Sequence, residues 1–286
     1  MSRNPGFRIS WEHNRGLATP IRALHPLWAL WSPAHRRLND PRRRAWAPPL
    51  LYGLLAVLIL WPLDGRLSAA IAPEGRAAPW LGGDLRRELE ALQQFGQGTI
   101  TLAIAAAIWM LDPSRRRRLL DWLAAVAIAA ALAFGLKMLL GRPRPVLGEP
   151  DLLLGPFGMY PLGPGQGIAH AWEFWREDVS KLWSMPSSHT VFAVVAAGML
   201  TAWYPRLRAL MIGLVLVVAL GRLLLGGHYA SDIAAGVAVG LIAVGLARRW
   251  RPSGDGGPSP ASSTEPAAAD RAAYTCLPQP ERCPRG

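Results

Sequence analysis

Six apolar runs constrain this chain more than any other feature: Trp46–Leu63, Phe95–Leu111, Leu123–Leu140, Met185–Tyr204, Leu207–Leu225 and Tyr229–Ala247. Each approaches the roughly 20 residues that an α-helix needs to cross a bilayer, the second being the shortest. Six buried helices in a chain of 286 residues would leave too little polar surface to enclose them in water. The expected fold is therefore all-α: a polytopic membrane protein with a six-transmembrane-helix bundle over residues 46–250. Ala70-Ile71-Ala72 resembles a signal-cleavage site. Pro73 follows it directly and disfavours cutting, so the first run is read as an uncleaved helix.

The distribution of charge orients the bundle. The chain has 31 basic and 19 acidic residues, a net charge of +12. A basic excess suits nucleic acid or a membrane surface. Here the arginines collect at the ends of the apolar runs, at Arg42 to Arg44, Arg115 to Arg118, Arg206 with Arg208, and Arg248-Arg249 with Arg251. That pattern belongs to cytoplasmic flanks of membrane helices and not to a nucleic-acid-binding stripe. With the N-terminus inside, all these clusters fall on the cytoplasmic side, and 64–94, 141–184 and the turn at Gly226-Gly227 fall outside. The expectation is a cell (inner) membrane protein with both termini cytoplasmic and an external or periplasmic site.

Flanking segments differ in composition. Residues 1–45 are rich in Arg and Pro, and with Trp11, Trp28 and Trp31 they read either as a segment lying on the bilayer or as a disordered basic tail. Residues 251–286 are rich in Pro, Ser, Gly and Ala and read as a disordered cytoplasmic tail. Cys276 and Cys283 match no zinc spacing and are read as free thiols in a reducing compartment. Gly163 to Gly167 follows no expected strand and reads as a flexible loop. Trp172, Trp175, Val179 and Leu182 recur at helical spacing, which suggests a helix over 168–183, resting on the bilayer or beside the site.

Ionisable residues inside apolar runs are costly and usually functional. Lys137, one of only two lysines, lies in the third run, Arg222 in the fifth and Asp232 in the sixth, with His189 and His228 near the outer starts of the fourth and sixth. In the topology above all five reach similar depth near the outer surface. Taken singly, Lys137 could snorkel, His189 could be a satisfied helix-start residue, and Asp232 could pair with Arg222. Their spacing speaks for a common site: Lys137-x6-Arg144-Pro145, then Pro186-Ser187-Ser188-His189, then Arg222-x5-His228-x3-Asp232.

These three stretches, in this order, resemble the signature motifs of the type 2 phosphatidic-acid phosphatase and vanadium haloperoxidase superfamily over roughly residues 50 to 247. Two positions depart from the family pattern. Ser188 stands where glycine is usual, and Gly221 precedes Arg222 where serine is usual. Neither removes an ionisable group. The resemblance implies a phosphatase acting on a lipid phosphate, phosphatidate-like or a polyprenyl diphosphate. It also implies that His228 attacks phosphorus to form a phosphohistidine, while His189 protonates the leaving group and later activates water.

The residue types suit that chemistry. Phosphoryl transfer is governed by charge on the non-bridging oxygens, and Lys137, Arg144 and Arg222 supply cations for them. Ser187, Ser188 and the N–H groups opening the fourth helix add donors. Pro143 and Pro145 argue that the third helix ends near Gly141, leaving Arg144 to fold back. His228 and Asp232, four apart, share a helix face, so the carboxylate is expected to hold the imidazole in one tautomer. No metal or other cofactor is expected. The alternative of zinc on His189, His228 and Asp232 sets a cation among arginines that would repel it. The expected partners are a lipid phosphate substrate and the bilayer. A phosphotransferase of the same fold remains open, as does, in a different class, a lipid transporter or membrane scaffold in which the motifs would be dispensable.

Overall fold

A computed structural model of the chain describes residues 45–163 and 167–249. The basic N-terminal segment with Trp11, Trp28 and Trp31, the C-terminal tail and Cys276 with Cys283 lie outside the described residues.

Helix α1 (Ala47–Leu60) passes through a 3-10 turn at Trp61–Leu63 into α2 (Asp64–Ile71), and together they form an apolar stretch of 25 residues. The first run thus extends beyond Leu63, and Asp64, expected in an outer loop, is fully buried at the junction. The rest of the 64–94 segment is also largely helical. The polar α3 (Gly83–Leu92) leads through a 3-10 turn at Gln93–Gly96 into the apolar α4 (Gly98–Leu111), with a bend of 63° between the two halves. Helices α5 (Leu119–Leu140), α6 (Ser188–Trp203), α7 (Arg208–Leu224) and α8 (Ala230–Arg249) follow.

Four helical stretches among the described residues are long and apolar enough to cross a membrane, five if the bent α3–α4 pair counts as one broken span. Helix α6, expected to begin at Met185, starts only at Ser188 and has 16 residues, short of a full span. It is instead the most enclosed helix: Val191, Ala193, Val195, Ala196 and Met199 have no solvent exposure.

Small residues determine how the helices approach one another. On α5 a stripe at four-residue spacing, Ala125, Ala129 and Ala133, faces the core and ends at Lys137, which places that lysine on the same inner face. Trp122 opens the stripe and packs against Trp203 of α6, ring centroids 5.4 Å apart. On α8, Gly236 and Gly240 let the backbone of α6 come close. A Cβ on Gly240 would stand 2.7 Å from the Val194 Cβ, and one on Gly236 would stand 2.9 Å from the Ser187 carbonyl oxygen. Such small-residue seams replace the hydrophobic driving force that is missing between helices in lipid. The last helix touches α1, α5 and α6 and is the hub of the bundle.

The 141–184 segment departs from expectation. Residues 168–183 are not a helix. Gly167–His170 forms strand β2, paired antiparallel with β1 (Met159–Gly163), and the rest is turns and a 3-10 turn at Val179–Leu182. Of the glycine-rich stretch read as a flexible loop, Gly163 and Gly167 belong to the two strands, and residues 164–166 lie outside the described residues. Val179 and Leu182 are buried with Leu162, Ala169 and Ala171 in a small separate cluster, whereas Trp172, Phe174 and Trp175 are exposed.

Candidate functional site

Helix α5 stops at Gly141, whose left-handed backbone (φ 57°) and N–H to the Lys137 carbonyl cap it at 2.9 Å. The stop near Gly141 agrees with the sequence reading. The chain then doubles back, so Lys137, Arg142 and Arg144 serve different purposes. Lys137 is buried and donates from Nζ to the carbonyl of Trp183 at 2.5 Å. The Arg144 main chain is pinned to the Lys181 carbonyl at 2.8 Å, while its buried side-chain Nε has no hydrogen-bond partner.

Helix α6 enters the same region with its N-terminus. Ser187 occupies the N-cap position, so Pro186 lies just before the cap. The Ser187 N–H donates to the Asp232 carbonyl (3.1 Å), and its hydroxyl oxygen accepts from Thr190 (3.1 Å). Ser187 is therefore a buried joint between α6 and α8 as well as a candidate donor. The main-chain ladder begins with Val191 N–H to Ser187 C=O, which leaves the N–H groups of Ser188 and His189 in the unpaired first turn. His189 itself is only partly buried. The turn at Gln93–Gly96 presses on it so closely that a Cβ at Gly96 would lie 2.2 Å from the His189 carbonyl oxygen.

Arg222, near the end of α7, donates from Nη1 to the side-chain oxygen of Gln93 at 2.9 Å, and its buried Nε has no partner. The turn that follows fits tightly around it. Gly226 has φ 68° and packs on the Gly75 backbone, and a Cβ at Gly227 would stand 2.5 Å from the Arg222 Nη2. Gly226 serves the turn's conformation and Gly227 the close approach of the Arg222 side chain.

His228 is buried in that turn, outside the helices. The expected contact with Asp232 is secondary: Nδ1 lies 3.6 Å from the Asp232 Oδ2 but 2.7 Å from the main-chain carbonyl of Ser184. The cause is competition for the carboxylate. The Asp232 Oδ2 accepts from the Ser184 hydroxyl (2.6 Å) and the Tyr229 N–H (2.9 Å), and Oδ1 accepts from the Arg142 Nη1 (2.6 Å). A carbonyl can only accept, so Nδ1 carries the proton of the neutral ring and Nε2 keeps its lone pair. Burial pushes the His228 pKa well below the ordinary imidazole value of 6.5; the Asp232 carboxylate opposes the shift, and Arg222 and Arg144 add to it. The ring is thus neutral at neutral pH.

The expected cations and histidines converge. Lys137, Arg144 and Arg222 lie within electrostatic range of one another, of His189 and, for the two arginines, of His228. Sequence reading missed Arg142, Asp64, Ser184, Ser231 and Gln93. Arg142 sat inside the first motif between two residues that drew attention. Asp64, a carboxylate directly at the end of an apolar run, was assigned to a loop. Nothing marked Gln93, and nothing marked Ser184, which acts partly through its main chain. Removing one partner from a buried ion pair such as Arg142–Asp232 costs about 3–5 kcal/mol, so this part of the site is tightly determined.

Comparison with known proteins matches residues 118–254 to the PAP2 superfamily. That stretch contains Lys137, Arg144, Ser187, Ser188, His189, Arg222, His228 and Asp232, but neither Asp64 nor Gln93. The chain is 32% identical over 154 residues to the decaprenylphosphoryl-5-phosphoribose phosphatase of Mycobacterium tuberculosis, found in two strains; the match covers 52% of this chain and 71% of that protein. Among solved structures, a transmembrane PAP2 type phosphatidylglycerolphosphate phosphatase from Bacillus subtilis aligns with a TM-score of 0.47 at 18% identity, over 71% of this chain and 98% of that one. On the family match and the mycobacterial relative, together with its apolar helices, the chain belongs to the PAP2 superfamily and is a membrane phosphatase of that family.

Proposed function

We propose that the protein releases phosphate from a lipid phosphate or diphosphate at the outer face of the membrane, through a phosphohistidine on His228. The observation that carries this reading is the pair of buried, unpartnered guanidinium N–H groups on Arg144 and Arg222. A buried donor without an acceptor is costly, and an oxyanion placed between the two arginines would satisfy both. Lys137 adds charge to the same space. The relative from Mycobacterium tuberculosis, named for a decaprenylphosphoryl substrate, favours a polyprenyl phosphate carrier over a diacyl lipid.

In this scheme the Nε2 lone pair of His228 attacks phosphorus. The bond to the leaving oxygen breaks, and that oxygen takes a proton from His189. Water then gives a proton back to His189 and attacks the phosphohistidine, which releases inorganic phosphate and restores neutral His228. The arginines and Lys137 stabilise the equatorial oxygens in both steps. Both Asp232 oxygens already accept hydrogen bonds, so a zinc ion on His189, His228 and Asp232 would have to displace Arg142 or Ser184. The reading assigns no metal.

Sidedness and activity can be tested together with the full chain. Right-side-out spheroplasts should release inorganic phosphate from a short-chain lipid phosphate added outside, and sealed inverted vesicles should do so only after detergent opens them. Equal activity in sealed inverted vesicles would place the site on the cytoplasmic face. Transfer of the phosphoryl group to an added lipid alcohol in place of water would make the protein a transferase.

Gly227→Ala tests the seat of Arg222. The added methyl group would meet the guanidinium 2.5 Å away and push it off its position. Activity as kcat/KM should fall about 10-fold, less than for loss of a whole charge-stabilising donor, with little change in the melting temperature. Unchanged kcat/KM would mean that the Arg222 side chain moves aside freely and is not held for substrate.

A further inference from the structure

Arg142 is completely buried, and every guanidinium hydrogen has a partner. Nη1 donates to the Asp232 Oδ1 and the Ser231 hydroxyl oxygen, both at 2.6 Å. Nη2 donates to the Asp64 Oδ2 at 2.8 Å and the Pro150 carbonyl at 2.6 Å, and Nε reaches the same carbonyl at 3.2 Å. The guanidinium carbon also lies 3.9 Å from the centroid of the Trp61 ring and 4.5 Å from that of Tyr229. Asp64 closes the loop from the other side. It accepts from the Ser231 N–H at 3.1 Å and from the Ser231 hydroxyl, the residue directly before Asp232. Neither carboxylate nor the guanidinium has any solvent exposure.

This is more apparatus than helix packing requires. Replacing buried ion pairs by apolar residues is often neutral or stabilising, and a bilayer raises the cost of burying such charges further. The geometry points to a different use: Asp64 and Arg142 are positioning residues for the His228–Asp232 pair. Arg142 holds Oδ1, so the carboxylate cannot rotate, and Oδ2 stays on Ser184 and Tyr229, 3.6 Å from the His228 Nδ1. Asp64 in turn fixes the fork of Arg142. The first membrane helix therefore helps to build the site, although it lies outside the residues matched to the family. The inference rests on the proposed roles of His228 and Asp232.

A double-mutant cycle on the full-length protein in detergent micelles tests it, with a lipid phosphate as substrate. Asp64→Asn should lower kcat about 10- to 100-fold with KM nearly unchanged, the range typical of residues that orient a functional group. In an Asp232→Asn background the same substitution should lower kcat by less than about twofold, because the residue it acts through is already impaired. Arg142→Lys, which keeps the charge and loses the fork, should behave like Asp64→Asn. If Asp64→Asn does not fold, Ser231→Ala reads the same coupling with all three charges kept. It should lower kcat about 3- to 10-fold alone and leave it unchanged beside Asp232→Asn. Equal losses in both backgrounds, or a lowered melting temperature with kcat intact, would overturn the inference and leave the catalytic assignment standing. If Asp232→Asn alone leaves kcat unchanged, the role of Asp232 fails and the inference falls with it.

Discussion

His228→Ala is expected to abolish turnover, with kcat falling at least about 10⁴-fold, or more than about 5 kcal/mol in barrier, because the attacking atom is lost. The corresponding covalent label should vanish as well. Brief reaction of the wild-type protein with a phosphorus-labelled lipid phosphate, followed by an alkaline quench, should leave an acid-labile phosphoramidate. Peptide mapping should find it within 223–247. The geometry gives the assignment a further signature. The Ser184 carbonyl holds the proton on Nδ1, so phosphate should be found on Nε2. The pH dependence follows from the same burial. A protonated imidazole cannot attack, and activity is lost as pH falls through the pKa of His228. Burial lowers that value, so the acid limb of kcat/KM should lie below the ordinary 6.5. Label on a different residue, or normal turnover by the His228→Ala protein, would end the reading.

The weaker contact between His228 and Asp232 shows where sequence reading stops. Spacing alone put the two side chains on one face, and they do face each other. Spacing could not show that the carboxylate has three stronger partners, two of them from segments far away in the chain, or that a main-chain carbonyl would take the imidazole proton. Main-chain acceptors carry no residue signature. The membrane bundle was readable because lipid imposes its own demand on composition, and each apolar run became a helix. The ionisable residues were readable for the opposite reason, since they violate that composition. Asp64 and Gln93 escaped because α2 and α3 are shorter and more polar than a spanning run, so the 64–94 segment looked like a loop. The hairpin escaped because Trp172, Trp175, Val179 and Leu182 satisfy a helical period by coincidence. In the structure the last two serve a small core, and the tryptophans are exposed on a turn.

His189 should separate the two chemical steps. It comes from the first turn of α6, a different element from the turn that carries His228, and the Gly96 backbone packs closely against its main chain. A general acid contributes about 10² to 10⁴-fold when the leaving group is a poor one. His189→Ala should therefore slow hydrolysis of an alkyl lipid phosphate by that factor. An aryl phosphate with a stable leaving anion needs no proton, so its first step should proceed in the variant at close to the wild-type rate. The second step still lacks the base that activates water. The variant should then stall after one turnover and accumulate labelled His228 in nearly stoichiometric amount, with a burst of released aryl alcohol and little free phosphate. That outcome requires distinct histidines for attack and for proton transfer. Equal slowing of alkyl and aryl substrates, with no burst and no trapped label, would mean that His189 binds the substrate without moving its proton. Label on His189 in the wild-type protein would exchange the two roles, and the tautomer held by Ser184 would then belong to the acid.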